Sequence, residues 1–114
     1  MKTIYFFIAT VLFVSGSVFS QANIEKQAKR TTKEMSEVMV LNDEQSTKIL
    51  DINMRKFTAI AELKEKYKDD PTTMKTEIKK ATKPFAMEAT DIVGQEKIEI
   101  WRAYLKEKKK QKNK

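Results

Sequence analysis

Histidine and cysteine are both absent from the 114-residue sequence, and beyond residue 20 it holds one glycine, Gly94, and two prolines, Pro71 and Pro84. Without imidazole or thiol the chain lacks the side chains that most often act as general base, nucleophile or transition-metal ligand. Ser36 and Ser46 are the only serines past residue 20, and no histidine exists to activate them. Nor is there a glycine-rich loop to cradle a phosphate. The carboxylates fall mostly among lysines, which hold carboxyl pKa values down rather than raising one for acid catalysis. These absences point away from an enzyme, from a catalytic residue and from any cofactor. The densest acidic spot, Asp69-Asp70, lacks the alternating oxygen ligands and the glycine of a calcium loop, and it reads as a turn that caps the next helix. No metal site is expected. The missing cysteine also excludes a disulfide and a lipid-modified cysteine.

What the sequence does have begins with the three parts of a secretory signal in residues 1–20. Lys2 supplies the positive start, Ile4 to Val14 form an apolar run broken only by Thr10, and small residues follow from Ser15 to Ser20. Val18 and Ser20 suit cleavage before Gln21, while a cut after Ala22 is the other option. An uncleaved anchor would need about 20 apolar residues, more than this run offers. The expected organisation is therefore a cleavable signal over 1–20, a helical domain over 21–105 and a basic disordered tail over 106–114. The destination is the periplasm or the exterior. The chain past residue 20 carries 22 Lys+Arg against 16 Asp+Glu, and its only leucines are Leu41, Leu50, Leu63 and Leu105. A domain this small buries only about 60–65% of its unfolded surface, so so lean a core favours a homodimer.

Apolar residues recur at spacings of three and four, not two, which predicts an all-α fold with four helices near 23–40, 43–68, 72–92 and 95–110. The first stripe is Ile24, Ala28, Thr31, Met35 and Val38. The second helix opens at Leu41-Asn42-Asp43-Glu44-Gln45, where Asn42 and Gln45 can form a reciprocal capping box. Its expected apolar face is Ile49, Leu50, Phe57, Ile60, Leu63 and Tyr67, with Glu44/Lys48, Asp51/Arg55 and Glu62/Lys66 as i,i+4 pairs. Pro71 suits the first turn of the third helix, whose stripe runs from Met74 through Ile78, Ala81, Phe85 and Ala89 to Ile92. Pro84 lies inside that stripe and predicts a kink or break around 80–84. Gly94 opens the last helix, with Ile98, Trp101 and Leu105 on one face and Tyr104 beside them.

Charge and sulfur mark the candidate binding surface. Lys75, Lys79, Lys80 and Lys83 crowd the third helix with only Glu77 among them, and the tail from Lys106 holds six lysines and one glutamate. Such clusters are either a solvated face or a footprint for an acidic partner. Charge alone does not argue for nucleic acid, since no aromatic-interleaved basic motif accompanies it; the basic tail is placed to touch a membrane surface. Methionines fill irregular cores or adaptable surfaces. Met35 and Met74 fall on apolar stripes, and Met87 is the candidate for exposure.

Leu41-Asn42-Asp43-Glu44-Gln45 resembles the Leu-Thr-x-x-Gln motif of the Spy/CpxP family of small helical periplasmic proteins, with Asn42 supplying the cap oxygen in place of threonine. Members often carry the motif twice, and Val93-Gly94-Gln95-Glu96-Lys97 stands 52 positions later. That copy is degenerate, because Gly94 has no side-chain acceptor and Lys97 only donates. The resemblance implies bent helical hairpins in an antiparallel, cradle-shaped dimer with a basic concave side. Spy-like members hold unfolding clients without ATP and CpxP-like members act on an envelope stress sensor. The metal-binding relatives are a poor guide for a chain without histidine or cysteine.

The reading is an exported, ATP-independent chaperone-like protein for unfolding or stress-exposed envelope proteins. The alternative is a dedicated, non-enzymatic regulator or structural partner of one envelope protein. The client-binding residues would be Lys75, Lys79, Lys80, Lys83, Met74, Ile78 and Met87, and the motif and cap positions are Leu41, Asn42, Gln45, Val93 and Gly94.

Overall fold

The computed structural model describes residues 21–112, so the signal expected at 1–20 lies outside the described residues. Among the described residues four helices follow one another: α1 Gln21–Met39, α2 Asp43–Lys66, α3 Pro71–Val93 and α4 Gln95–Lys112. Each boundary has a local cause. Asn42 accepts from the Gln45 amide at 2.8 Å while the Gln45 side chain accepts from the Asn42 amide at 3.1 Å, which is the reciprocal capping box. At the start of α3, Asp70 accepts from the Thr73 amide at 3.2 Å and from the Thr73 hydroxyl at 2.6 Å, and Pro71 sits in the first turn. These two bonds, the hydroxyl first, hold the Asp70 carboxyl below its usual range.

Of the kink or break expected around 80–84, the break does not occur: α3 runs as one helix through Pro84. Pro84 and Lys80 are both exposed. Proline leaves the Lys80 carbonyl without a donor, which is cheapest on an exposed side of a helix, where water can satisfy it. Residues 106–112 continue α4, which runs two residues past the expected 95–110. Lysine is a good helix former, and Lys109, Lys110 and Lys112 stand in the last turn, where the helix dipole favours positive charge.

α1 and α3 each pack against both α2 and α4. Their shared core is the buried set Met35, Met39, Ile49, Ile52, Ala89, Val93 and Ile98, with Leu41, Phe85, Ile92 and Trp101 packed against it. It lies at one end of the molecule, where α1 passes into α2 and α3 into α4. The buried stripe of α1 is Ile24, Ala28, Thr32, Met35 and Met39, so Thr32 and Met39 take the places expected for Thr31 and Val38. The shift has a polar cause: Asn53, buried on α2, donates to the Thr32 hydroxyl at 2.9 Å. On α2 only Ile49, Ile52 and Asn53 are buried, whereas Leu50, Phe57, Ile60 and Leu63, with Tyr67 at the C-cap, are half-buried. On α4, Leu105 is exposed, and Tyr104 turns inward to stack on Trp101 at 5.4 Å and to donate to Glu34 of α1.

Candidate functional site

Four-residue spacing places Lys75, Lys79, Lys83 and Met87 in one row along α3, because residues i and i+4 stack on the same helix face. All four are exposed, Met87 at 63%. The row beside it holds Met74, Ile78 and Thr82, each half-buried. Thr82 donates back to the Ile78 carbonyl at 2.9 Å, which keeps its hydroxyl within the helix. Lys80 is tied to Glu77 at 3.5 Å, whereas Lys75, Lys79 and Lys83 make no ion pair among the described residues. Three free ammonium groups thus border a strip of incompletely covered apolar side chains.

The strip belongs to a longer arm. No residue from 54 to 88 is buried, although Phe57, Ile60 and Leu63 on α2, Tyr67 at its C-cap, and Met74, Ile78, Ala81 and Phe85 on α3 are half-buried there. At the inner end of the arm Arg55 bridges α2 and α3 on the surface. Its guanidinium bonds both carboxylate oxygens of Glu88 on α3 and also Asp51 at 2.8 Å on its own helix. Glu88, then Asp51, raises the Arg55 pKa further, so this cation is permanent. Among the expected i,i+4 pairs, Glu44–Lys48 forms at 3.4 Å and Asp51–Arg55 at 2.8 Å, but Glu62 and Lys66 do not pair.

The other predicted positions meet at the opposite end. Leu41 packs on the core, and Val93 is buried within it. Gly94, at φ 95° and ψ 153°, ends α3 through its amide bond to Thr90 at 2.8 Å, and its carbonyl accepts from Ile98 at 3.2 Å to begin α4. Gln45, beyond its role in the cap, donates to the Ile92 carbonyl at 3.5 Å. Lys97 donates to the Val40 carbonyl at 2.9 Å. The two motif copies are therefore spatial neighbours, each tied to the residue that precedes the other. The structure brings these five residues to one junction and leaves the lysine row on the arm, separate from it.

Sequence reasoning did not reach Val40, Asn53 or Arg55–Glu88. Val40 has φ 53° and is 77% exposed, a left-handed β-branched residue at the end of α1. The Leu41 amide reaches back to the Ser36 carbonyl at 3.0 Å, the six-to-one bond that usually has glycine at the turning position. A search for glycine could not have found it. Asn53 did carry a signal, since it stands four residues after Ile49 on the inward face.

The family described as Domain of unknown function (DUF4890) matches residues 17–114. The chain belongs to the DUF4890 family. No curated protein and no solved structure matches the chain. The DUF4890 match spans all four helices, so the capped junction and the lysine-bordered arm are both parts of one family domain. Among the described residues, no helix is long and apolar enough to cross a membrane.

Proposed function

We propose that this protein is an exported, ATP-independent chaperone-like binder of unfolding or stress-exposed envelope proteins. The observation that carries the reading is the arm from 54 to 88, which has many apolar side chains, none of them buried, bordered by the unpaired Lys75, Lys79 and Lys83. Screened charges at physiological salt act over about 8 Å, enough to draw an acidic chain to the arm. Half-covered apolar groups can then hold exposed apolar segments of that chain weakly and without sequence preference. No nucleotide enters this scheme, because binding and release follow from the client's own folding.

The resemblance of the Leu41–Gln45 cap to the Spy/CpxP motif supports the same reading, and with it a periplasmic location and a cradle-shaped homodimer in which two arms face a common client. The half-buried arm residues are the apolar surface such a dimer would draw on. Affinity capture from periplasmic extract after mild unfolding stress tests the breadth of binding. Recovery of many unrelated proteins is the expected result, and recovery of a single protein would replace the chaperone by a dedicated regulator. Light scattering at tens of micromolar should give twice the monomer mass.

A further inference from the structure

A second feature lies where the inner end of the arm meets the core: a cleft of about 170 Å³ to which all four helices contribute. Its apolar walls include Met35, Ile52, Phe85, Ile98 and Trp101. A cavity of about 150 Å³ lined by such groups takes a benzene ring, so this one accommodates an apolar body of about six to eight carbons. The cleft is not purely apolar, because Lys56 and Arg102 also line it and no aspartate or glutamate does.

The two cations are chemically unspent. Neither Lys56 nor Arg102 makes an ion pair or a hydrogen bond among the described residues. The contact of the Lys56 ammonium is with the neighbouring Phe57 ring, 5.8 Å to the centroid. Lys56 is half-buried, and that burial lowers its pKa, the signature of an ammonium that has lost water without gaining an anion. The polar groups around it are already engaged: Asn53 donates to Thr32 at 2.9 Å, and Thr82 donates within its own helix. A partly desolvated ammonium with no counter-ion is costly, and an incoming carboxylate would remove that cost. A guanidinium adds a planar fork suited to two carboxylate oxygens.

We infer that the cleft among the four helices is a binding site for a small monocarboxylate with an apolar body, such as a medium-chain fatty acid, whose tail enters between Ile52, Phe85 and Trp101 and whose carboxylate meets Lys56 and Arg102. The inference does not rest on the chaperone reading: its two cations are Lys56 and Arg102, not the exposed lysine row of α3, although both readings use Phe85.

Trp101 is the sole tryptophan and lines the cleft, so its emission reports occupancy. Titration of the full protein with octanoate, below its micellar range, should give a saturable change. Octanol, equal in length but uncharged, should bind about tenfold more weakly or worse, since hydrogen bonds to charged groups are the stronger kind. Lys56→Met and Arg102→Gln should each weaken octanoate about tenfold while circular dichroism stays at wild type. The Lys75→Glu/Lys79→Glu/Lys83→Glu variant should bind octanoate as wild type does, which separates this site from the lysine row. An absent or unsaturable response to octanoate, equal binding of octanol, or an undiminished Lys56→Met variant would each overturn the assignment.

Discussion

Lys97 and Val40, 57 positions apart, are joined by the lysine ammonium donating to the valine carbonyl at 2.9 Å. The bond has a counterpart in Gln45 and the Ile92 carbonyl at 3.5 Å. A shift of 52 positions converts Val40 and Gln45 into Ile92 and Lys97, so the two bonds are related by the same interval as the two motif copies. Each half of the chain ends one helix and begins the next at this junction, and each half's fifth motif residue satisfies a carbonyl of the other half. Lys97 lacks an acceptor and cannot close a capping box. Its ammonium instead makes the tie across the halves. The weak second motif thus keeps a structural role that differs from the first.

The junction contains two positive-φ residues with opposite expected responses. Val40, at φ 53°, pays the steric penalty of a β-branched residue in the left-handed region. Val40→Asn should stabilise the fold by about 1 kcal/mol, because Asn tolerates that conformation. Gly94, at φ 95° and ψ 153°, occupies a region that only glycine enters readily, and an added Cβ would meet nothing within 4 Å. Gly94→Ala should therefore cost about 1–3 kcal/mol from backbone conformation alone. Urea unfolding midpoints measure both, with the slope unchanged.

The Thr32–Asn53 pair is the buried polar contact between α1 and α2. Asn53→Ala leaves the Thr32 hydroxyl without its donor and opens a small void, so a loss of about 1–3 kcal/mol is expected. Thr32→Val combined with Asn53→Leu removes both partners and restores apolar volume. That double variant should recover most of the loss in a thermodynamic cycle, since two matched apolar groups can be nearly neutral where one orphaned polar group is not.

Acid should loosen the outer end of α4 first. Bonds from Lys108, then Tyr104, hold the Glu34 carboxyl below its ordinary range. A carboxylate whose folded pKa is depressed contributes stability that is present above the unfolded value and is lost as pH falls through the folded value. Hydrogen exchange of residues 105–112 should therefore accelerate as pH drops through and below the usual glutamate range, after correction for intrinsic rates. Glu34→Gln should show the faster exchange already at neutral pH and little further change on acidification.

Much of this fold was legible in the residues. Pro71 and Gly94 fall at helix boundaries, the Asn42–Gln45 box marks α2, and threes and fours in the apolar spacing gave four helices. The side facing inward was harder to read. Thr32 and Met39 displaced Thr31 and Val38 because the choice depends on Asn53, which belongs to another helix. Arg55–Glu88 depends in turn on the register of α2 against α3, and no local pattern encodes that. The length of α4 was not legible from lysine density alone, because Lys108 is held by Glu34 of α1 at 2.7 Å and its neighbours sit at the favourable end of the dipole. At the candidate surface, the lysine row was fully legible from its spacing, but the freedom of Lys75, Lys79 and Lys83 and the pairing of Lys80 needed the structure.

The chaperone reading is tested most directly by the aggregation of unfolding client proteins, followed by light scattering without nucleotide at a two-fold excess of this protein. Several unrelated clients should aggregate more slowly, and the protection should weaken between about 20 and 500 mM salt as screening shortens the reach of the lysine row. The Lys75→Glu/Lys79→Glu/Lys83→Glu variant should protect less while keeping its helix content, because exposed charges contribute little to folding. Unchanged aggregation of every client at that excess would contradict the account.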